Sequence, residues 1–161
     1  MSKIVEIASA YLGTKESPKG SNKTKFGKWF GLDGSPWCGM FASLVYNEAG
    51  YPLGTIDFKK GYASCQFALN HFKKQGEVIP KEKVQPGNLV IFDWDGNNQA
   101  DHTGIFVRDL GNGSFETIEG NTAYGNDSNG GEVMLRTRKY VSGKSKIYFI
   151  APKVVADNEI H

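Results

Sequence analysis

The chain has 161 residues and a mass of 17.7 kDa, close to one domain and too short for two ordinary ones. Apolar residues at 39% and charged residues at 22% exclude a disordered chain, and a net charge of +2 disfavours nucleic-acid binding driven by bulk charge. Glycine is in excess, with 20 residues beside 12% aromatics, which suits tight turns between short strands.

Residues 2–12 read as a helix with an apolar stripe of Ile4, Val5, Ala8, Tyr11 and Leu12, ended by Gly13. A loop with Pro18 and Gly20 follows. A short helix after Asn22 presents Phe26, Trp29 and Phe30. The turn-rich stretch Gly31–Pro36 leads into a third helix from about Trp37 to Ala49, stopped by Gly50 and Pro52. A fourth helix is expected from Tyr62 to Gln75. Beyond residue 80 the pattern changes to strands: Leu89–Trp94, His102–Asp109, Ser114–Gly120, Glu132–Lys139 and Lys146–Ile150. Helices first and consecutive strands afterwards predict an α+β fold with an antiparallel sheet. One domain over 1–153 and a frayed C-terminal tail over 154–161 are expected.

Charge is unevenly spread. Residues 1–30 hold six Lys and two Glu, residues 92–132 hold eight acids and only Arg108, and residues 136–153 hold six bases and no acid. Such blocks can present a basic surface to an anionic polymer, although solvated faces that happen to cluster are the plainer reading. Glu6 stands where a secretion signal would have its apolar region. The longest apolar run, Leu89–Phe92, is far short of the ~18 residues of a membrane span. Synthesis in the cytoplasm without a signal peptide, and no membrane insertion, are therefore expected.

Two cysteines are present, Cys38 and Cys65, with no CxxC and hence no metal pattern. Cytoplasmic synthesis argues against a disulfide between them. Cys38 stands at the start of the third helix, where unpaired N–H groups and the positive dipole end favour a thiolate. Gly39 beside it would let a substrate approach the backbone. A small core residue is an equal reading of Cys38. Cys65 shares a helical face with Ala68, Leu69 and Phe72, and reads as core.

A cysteine nucleophile needs a base. Of three histidines, His161 lies in the tail and His71 inside a helix, which leaves His102 in Asp101-His102-Thr103-Gly104. The strands beginning at His102 and Ser114 should pair as a hairpin through a Gly-Asn-Gly loop. If Asp109 opposes Ser114, paired numbers sum to 223 and His102 faces Asn121. A register two shorter sets it opposite Glu119. Any odd sum puts Glu119 and Asn121 on His102's face, and any even sum puts them on the other. A nucleophile, base and orienting group are thus available in Cys38, His102 and either Glu119 or Asn121. Gly120 between them is read as permitting a tight turn.

Pro36-Trp37-Cys38-Gly39-Met40-Phe41, Asp101-His102-Thr103-Gly104-Ile105 and Glu119-Gly120-Asn121-Thr122 together resemble the CHAP family of cysteine, histidine-dependent amidohydrolases/peptidases. Lys25–Gly31 is similar to bacteriophage, endolysin-like members. So is Pro86–Phe92, where the family more often has Asp than Asn88. The likeness runs from about residue 5 to 151. It implies a papain-like (NlpC/P60-like) α+β fold and a peptidoglycan hydrolase. The bond cut would be an amide: that of an N-acetylmuramoyl-L-alanine amidase, or one in the stem or cross-bridge of an endopeptidase. It also implies that Cys38 is the nucleophile, His102 the base, Glu119 the orienting acid and Asn121 a further polar residue of the site.

Trp37, Gly39 and Tyr124 are expected to contact substrate, while core packing is preferred for Trp94. The acids and amides of Asp93–Asp101 alternate as in a calcium loop, but Asn98 and Gly104 stand where an EF-hand has Gly and Glu. A polar turn is preferred. Some relatives bind calcium, but at sites with no match here, so no metal and no cofactor are expected. The expected partner is bacterial peptidoglycan, reached after release from the cell, with no nucleic acid. A monomer is expected, and targeting is open to a separate cell-wall-binding subunit. A cysteine protease or antibacterial effector on another amide, and a non-catalytic wall-binding module, are the alternative readings.

Overall fold

The computed structural model describes residues 2–155. His161 and the stretch 156–161 of the expected tail lie outside the described residues. Four helices, α1 (Lys3–Ala10), α2 (Lys25–Phe30), α3 (Cys38–Glu48) and α4 (Cys65–Lys74), precede six strands. The strands are β1 (Val78–Ile79), β2 (Leu89–Asp93), β3 (His102–Gly111), β4 (Ser114–Thr122), β5 (Glu132–Lys139) and β6 (Lys146–Ile150). They form one antiparallel sheet in the order β1-β6-β2-β3-β4-β5. This is the α+β arrangement that the order of sequence patterns predicts. Among the described residues no helix is long and apolar enough to cross a membrane.

Side chains close the helix starts. Ser2, Thr24 and Ser64 accept the N–H groups of Val5, Gly27 and Phe67, satisfying donors that the first turn leaves open. The Ser64 cap makes α4 begin at Cys65, three residues later than expected. Tyr62 and Ala63 belong instead to a loop pinned where the Asp57 carboxylate accepts the N–H groups of Ala63 and Ser64. The strand β1 was not anticipated, because two residues carry no readable alternation.

Every residue of α3 from Cys38 to Tyr46 is buried, so this helix is central and apolar all round. Small side chains allow it. A Cβ on Gly39 would stand 2.6 Å from the Tyr62 carbonyl oxygen, and Ser43 donates to the Gly39 carbonyl at 2.8 Å. The strand β2 is buried on both faces. Leu89 and Ile91 join the helices, while Val90 and Phe92 pack with Phe106, Phe115 and Phe149 on the opposite side. A continuous apolar run, with successive side chains on opposite faces, is what a doubly covered strand requires.

The β3–β4 register sums to 223 at Ile105↔Ile118 and Phe106↔Thr117, then slips by one at each of two irregularities toward the turn. The odd sum therefore holds at the His102 end of the hairpin, and the slips are confined to the far end.

Candidate active site

His102 is the first residue of β3 and is fully buried. Its backbone pairs with Phe92, and its ring stacks near Phe92 and Trp94 at centroid distances of 6.1 and 6.2 Å. Glu119, fully buried on β4, meets His102 Nε2 at 2.9 Å through Oε1. A carboxylate only accepts, so the Nε2 hydrogen points at Glu119 and leaves Nδ1 as the working nitrogen. Nδ1 has no hydrogen-bond partner among the described residues.

The Glu119 carboxylate is held on all sides. Arg138 donates through Nε to Oε2 at 2.9 Å and through Nη2 to Oε1, and Thr117 donates to Oε2 at 2.6 Å. Burial pushes the Glu119 carboxyl up, but these donors and His102 outweigh it and bring it down to about 2. Burial likewise pushes His102 down. The Glu119 charge, with help from Cys38, prevails and raises it to about 9.

Cys38 opens α3 and is 5% exposed. Its sulfur lies 3.8 Å from the sulfur of Cys65, the first residue of α4. The Cys38 thiol is held well below its ordinary value. The largest contribution is a hydrogen bond with Cys65, opposed by burial and supported by His102 and the Gly39 N–H. Cys65 is pushed well above its ordinary value by that same bond, by burial, and by the charges of Cys38, Asp101 and Asp57. The two shifts run in opposite directions, favouring the charged form at Cys38 and the protonated form at Cys65. Cys38, His102 and the buried Glu119 carboxylate thus stand together, residue types that can supply a nucleophile, a base and an orienting acid.

Asn121 stands at a positive φ of 59° beside the bulge between Glu119 and Thr122. Its amide is engaged away from His102: Oδ1 accepts from Gly131 N at 3.0 Å and Nδ2 donates to Asn129 at 3.1 Å. Asn121 thereby ties down the loop 123–131. It is Asn121, within β4, that takes the left-handed backbone, and not Gly120. Gly120 instead allows close packing, since a Cβ there would stand 2.7 Å from the Phe41 Cβ.

Two expected substrate contacts are placed elsewhere. Trp37 is fully buried and stacks on Phe26 at 5.4 Å, so it serves the core in place of a groove. Gly39 faces the Tyr62 backbone, so its missing Cβ admits that chain and not a substrate. Tyr124 is 79% exposed, with the Arg136 guanidinium 5.1 Å from its ring centroid. Trp94 is only half-buried. It covers the site, stacked on Phe92 at 4.4 Å with the Arg138 guanidinium 4.8 Å from its centroid, and its indole N–H bonds Ser128. His71 lies on α4 against Phe72.

Sequence reasoning missed Arg138 and the role of Cys65. Arg136 and Arg138 alternate on β5 and both are buried, while Leu135 just before them is 43% exposed and Thr137 between them is exposed. That inverted pattern was the available signal. Both arginines bind Asp127, and Arg138 also binds Glu119, so this part of the basic C-terminal block is neutralised internally. In the 93–101 loop, Asp93 accepts from Asn97 N and Asn98 N, and Asp101 accepts from Trp94 N. These carboxylates act as turn acceptors.

Comparison with known proteins places this geometry. The CHAP domain family model matches residues 30–121, a span that contains Cys38, His102, Glu119 and Asn121. No curated protein matches the chain. Among solved structures, the chain is similar to the crystal structure of a wild-type endolysin, LysIME-EF1, with a TM-score of 0.52 and 14% identity. The match covers 94% of this chain and 65% of that one, so the chain spans less than two thirds of the endolysin's length. At that identity the likeness is one of fold, and it fits the papain-like α+β architecture. With the family model covering more than half of its length, the chain belongs to the CHAP domain family.

Proposed function

We propose that the protein is a peptidoglycan hydrolase that cleaves an amide bond of the bacterial cell wall through Cys38. The bond is either the N-acetylmuramoyl-L-alanine linkage or a peptide bond of the stem or cross-bridge. The observation that carries this reading is the buried Glu119–His102 pair at 2.9 Å, set beside a thiol at a helix N-terminus. Membership of the CHAP domain family and a fold shared with an endolysin support it.

The Cys38 thiolate attacks the amide carbonyl. The His102 imidazolium then gives its Nδ1 proton to the leaving amine, and the neutral imidazole activates the water that releases the acyl group. Glu119 keeps the ring orientation and stabilises its charge, as the third member of such triads does. The Cys38 backbone N–H, at the start of α3, is the donor proposed for the oxyanion. Tyr124 is the proposed exposed contact for the polymer.

The test is mass spectrometry of purified peptidoglycan digested by wild type and by Cys38→Ala. A new N-terminal alanine or glycine appearing only with wild type identifies the bond and supports the assignment. Undiminished wall clearing by Cys38→Ala overturns the nucleophile. Cleavage of protein substrates with none of peptidoglycan favours the protease or effector reading.

A further inference from the structure

Two helices converge on the site, and each begins with a cysteine. Cys38 opens α3 and Cys65 opens α4, with their sulfurs 3.8 Å apart and both thiols free. The mechanism above uses Cys38 alone. Forming an S–S bond of ordinary length requires the sulfurs to close by about 1.8 Å. Rotation of the two thiols about their Cα–Cβ bonds is the movement that this bond calls for. Both groups are nearly enclosed, at 5% and 6% exposure, so a small oxidant reaches them more readily than a second protein thiol.

We propose that Cys38 and Cys65 form a hydroperoxide-reactive pair, in which Cys38 takes the oxidising oxygen and Cys65 resolves it into an intramolecular disulfide. The Cys38 thiolate attacks the outer oxygen of the hydroperoxide and breaks the O–O bond. Cys38 becomes a sulfenic acid, and the departing alkoxide or hydroxide takes the proton of the His102 imidazolium. The Cys65 thiol then attacks the Cys38 sulfur, the S–O bond breaks, and one water leaves with the Cys65 proton. Overall two thiols lose two electrons and one hydroperoxide is reduced to an alcohol and water, or to two waters for hydrogen peroxide. A dithiol reductant reverses the step.

The asymmetry of the pair suits these roles. Cys38 is held below its ordinary value with His102 contributing, which favours attack, while Cys65 is held above its own, which favours keeping its proton until the sulfenic acid is in place. A disulfide here blocks the proposed nucleophile reversibly. It also diverts Cys38 from the sulfinic and sulfonic acids, of which the sulfonic is irreversible and the sulfinic nearly so. Only the consequence for wall cleavage rests on the function proposed above; the chemistry itself is read in mass.

The experiment treats the purified wild-type chain with hydrogen peroxide and reads intact mass, thiol titre and a non-reducing peptide map. The expected result is loss of two hydrogens and of both thiols, with a Cys38–Cys65 cross-linked peptide. Dithiothreitol restores both thiols and whatever cleavage activity was present before. In Cys65→Ser, two or three oxygens accumulate on Cys38 and reductant does not remove them. Oxygens on wild-type Cys38 with Cys65 still alkylatable overturn the proposal. So does a disulfide-linked dimer, or full recovery of Cys65→Ser by reductant. Because the first arm uses the unmutated chain, a folding defect in the variant does not blur the outcome. Failure of wall cleavage with an intact peroxide response would refute the proposed function alone.

Discussion

The Glu119 side chain reaches His102 by crossing the bare Cα of Gly104. A Cβ on Gly104 would stand 2.6 Å from Glu119 Cγ and 3.2 Å from the Ile118 carbonyl oxygen, while Glu119 Oε1 lies 2.9 Å from His102 Nε2. The glycine two residues after the histidine is therefore the passage through which the orienting acid arrives.

Gly104→Ala tests that passage. The new methyl displaces Glu119 from His102 without removing any polar group. Overpacking of this kind costs about 1–3 kcal/mol. The expected outcome is a lower Tm with kcat reduced well beyond any change in KM. Unchanged kcat would mean that Glu119 acts from another position.

The charged couple sets a pH window. His102 is raised from 6.5 to about 9, so its ion pair stabilises the fold fully below 6.5 and is lost as pH rises through about 9. Glu119 is lowered from 4.5 to about 2, so its contribution is present above 4.5 and is lost as pH falls through about 2. From these two groups, Tm should be highest between 4.5 and 6.5 and should fall toward alkaline pH. The alkaline limb of kcat/KM, where the proton for the leaving amine disappears, is expected near 9. A limb near 6.5 would show that Glu119 does not hold the imidazolium.

Arg138→Gln removes the guanidinium that grips Glu119 and Asp127 together. Breaking a buried ion pair from one side costs about 3–5 kcal/mol, because Glu119 remains buried with its charge less well paired. Thermal unfolding should show that loss. Arg138→Lys keeps the charge but not the fork, so it should recover only part of the stability. Full recovery by lysine would show that charge alone, and not the bidentate geometry, orients Glu119.

Asn121→Gly separates a loop role from a direct one. Glycine accepts the positive φ that Asn121 adopts, so the backbone is kept while the bonds to Gly131 and Asn129 are lost. The expected cost is about 1–3 kcal/mol, with faster proteolytic nicking in 123–131 and a modest change in kcat. A kcat loss comparable to that of His102→Ala, about 10²–10⁴-fold for a general acid–base group, would instead put Asn121 in the reaction.

Much of this was legible in the chain before folding. The helices declare themselves by apolar spacing and by stops at Gly and Pro, which are local properties. The His102–Glu119 pairing was accessible because strand geometry has a period of two, so an odd register sum alone puts the two on one face. The outer limits of elements were less readable. The start of α4 depended on the Ser64 cap and the Asp57 anchor, not on the apolar pattern.

What the sequence by itself determined was the order of elements and the rule that an odd register brings the base to its acid. Both follow from short-range backbone geometry. Which parity holds was decided by the two slips in the β3–β4 ladder. Only the tertiary structure decided that Cys65 meets Cys38, that Arg138 grips Glu119, that Asn121 serves the 123–131 loop, and that Trp37 goes to the core and Trp94 to the site. These depend on how two helix N-termini converge and on how strands fold across one another. No spacing along the chain encodes such long-range packing.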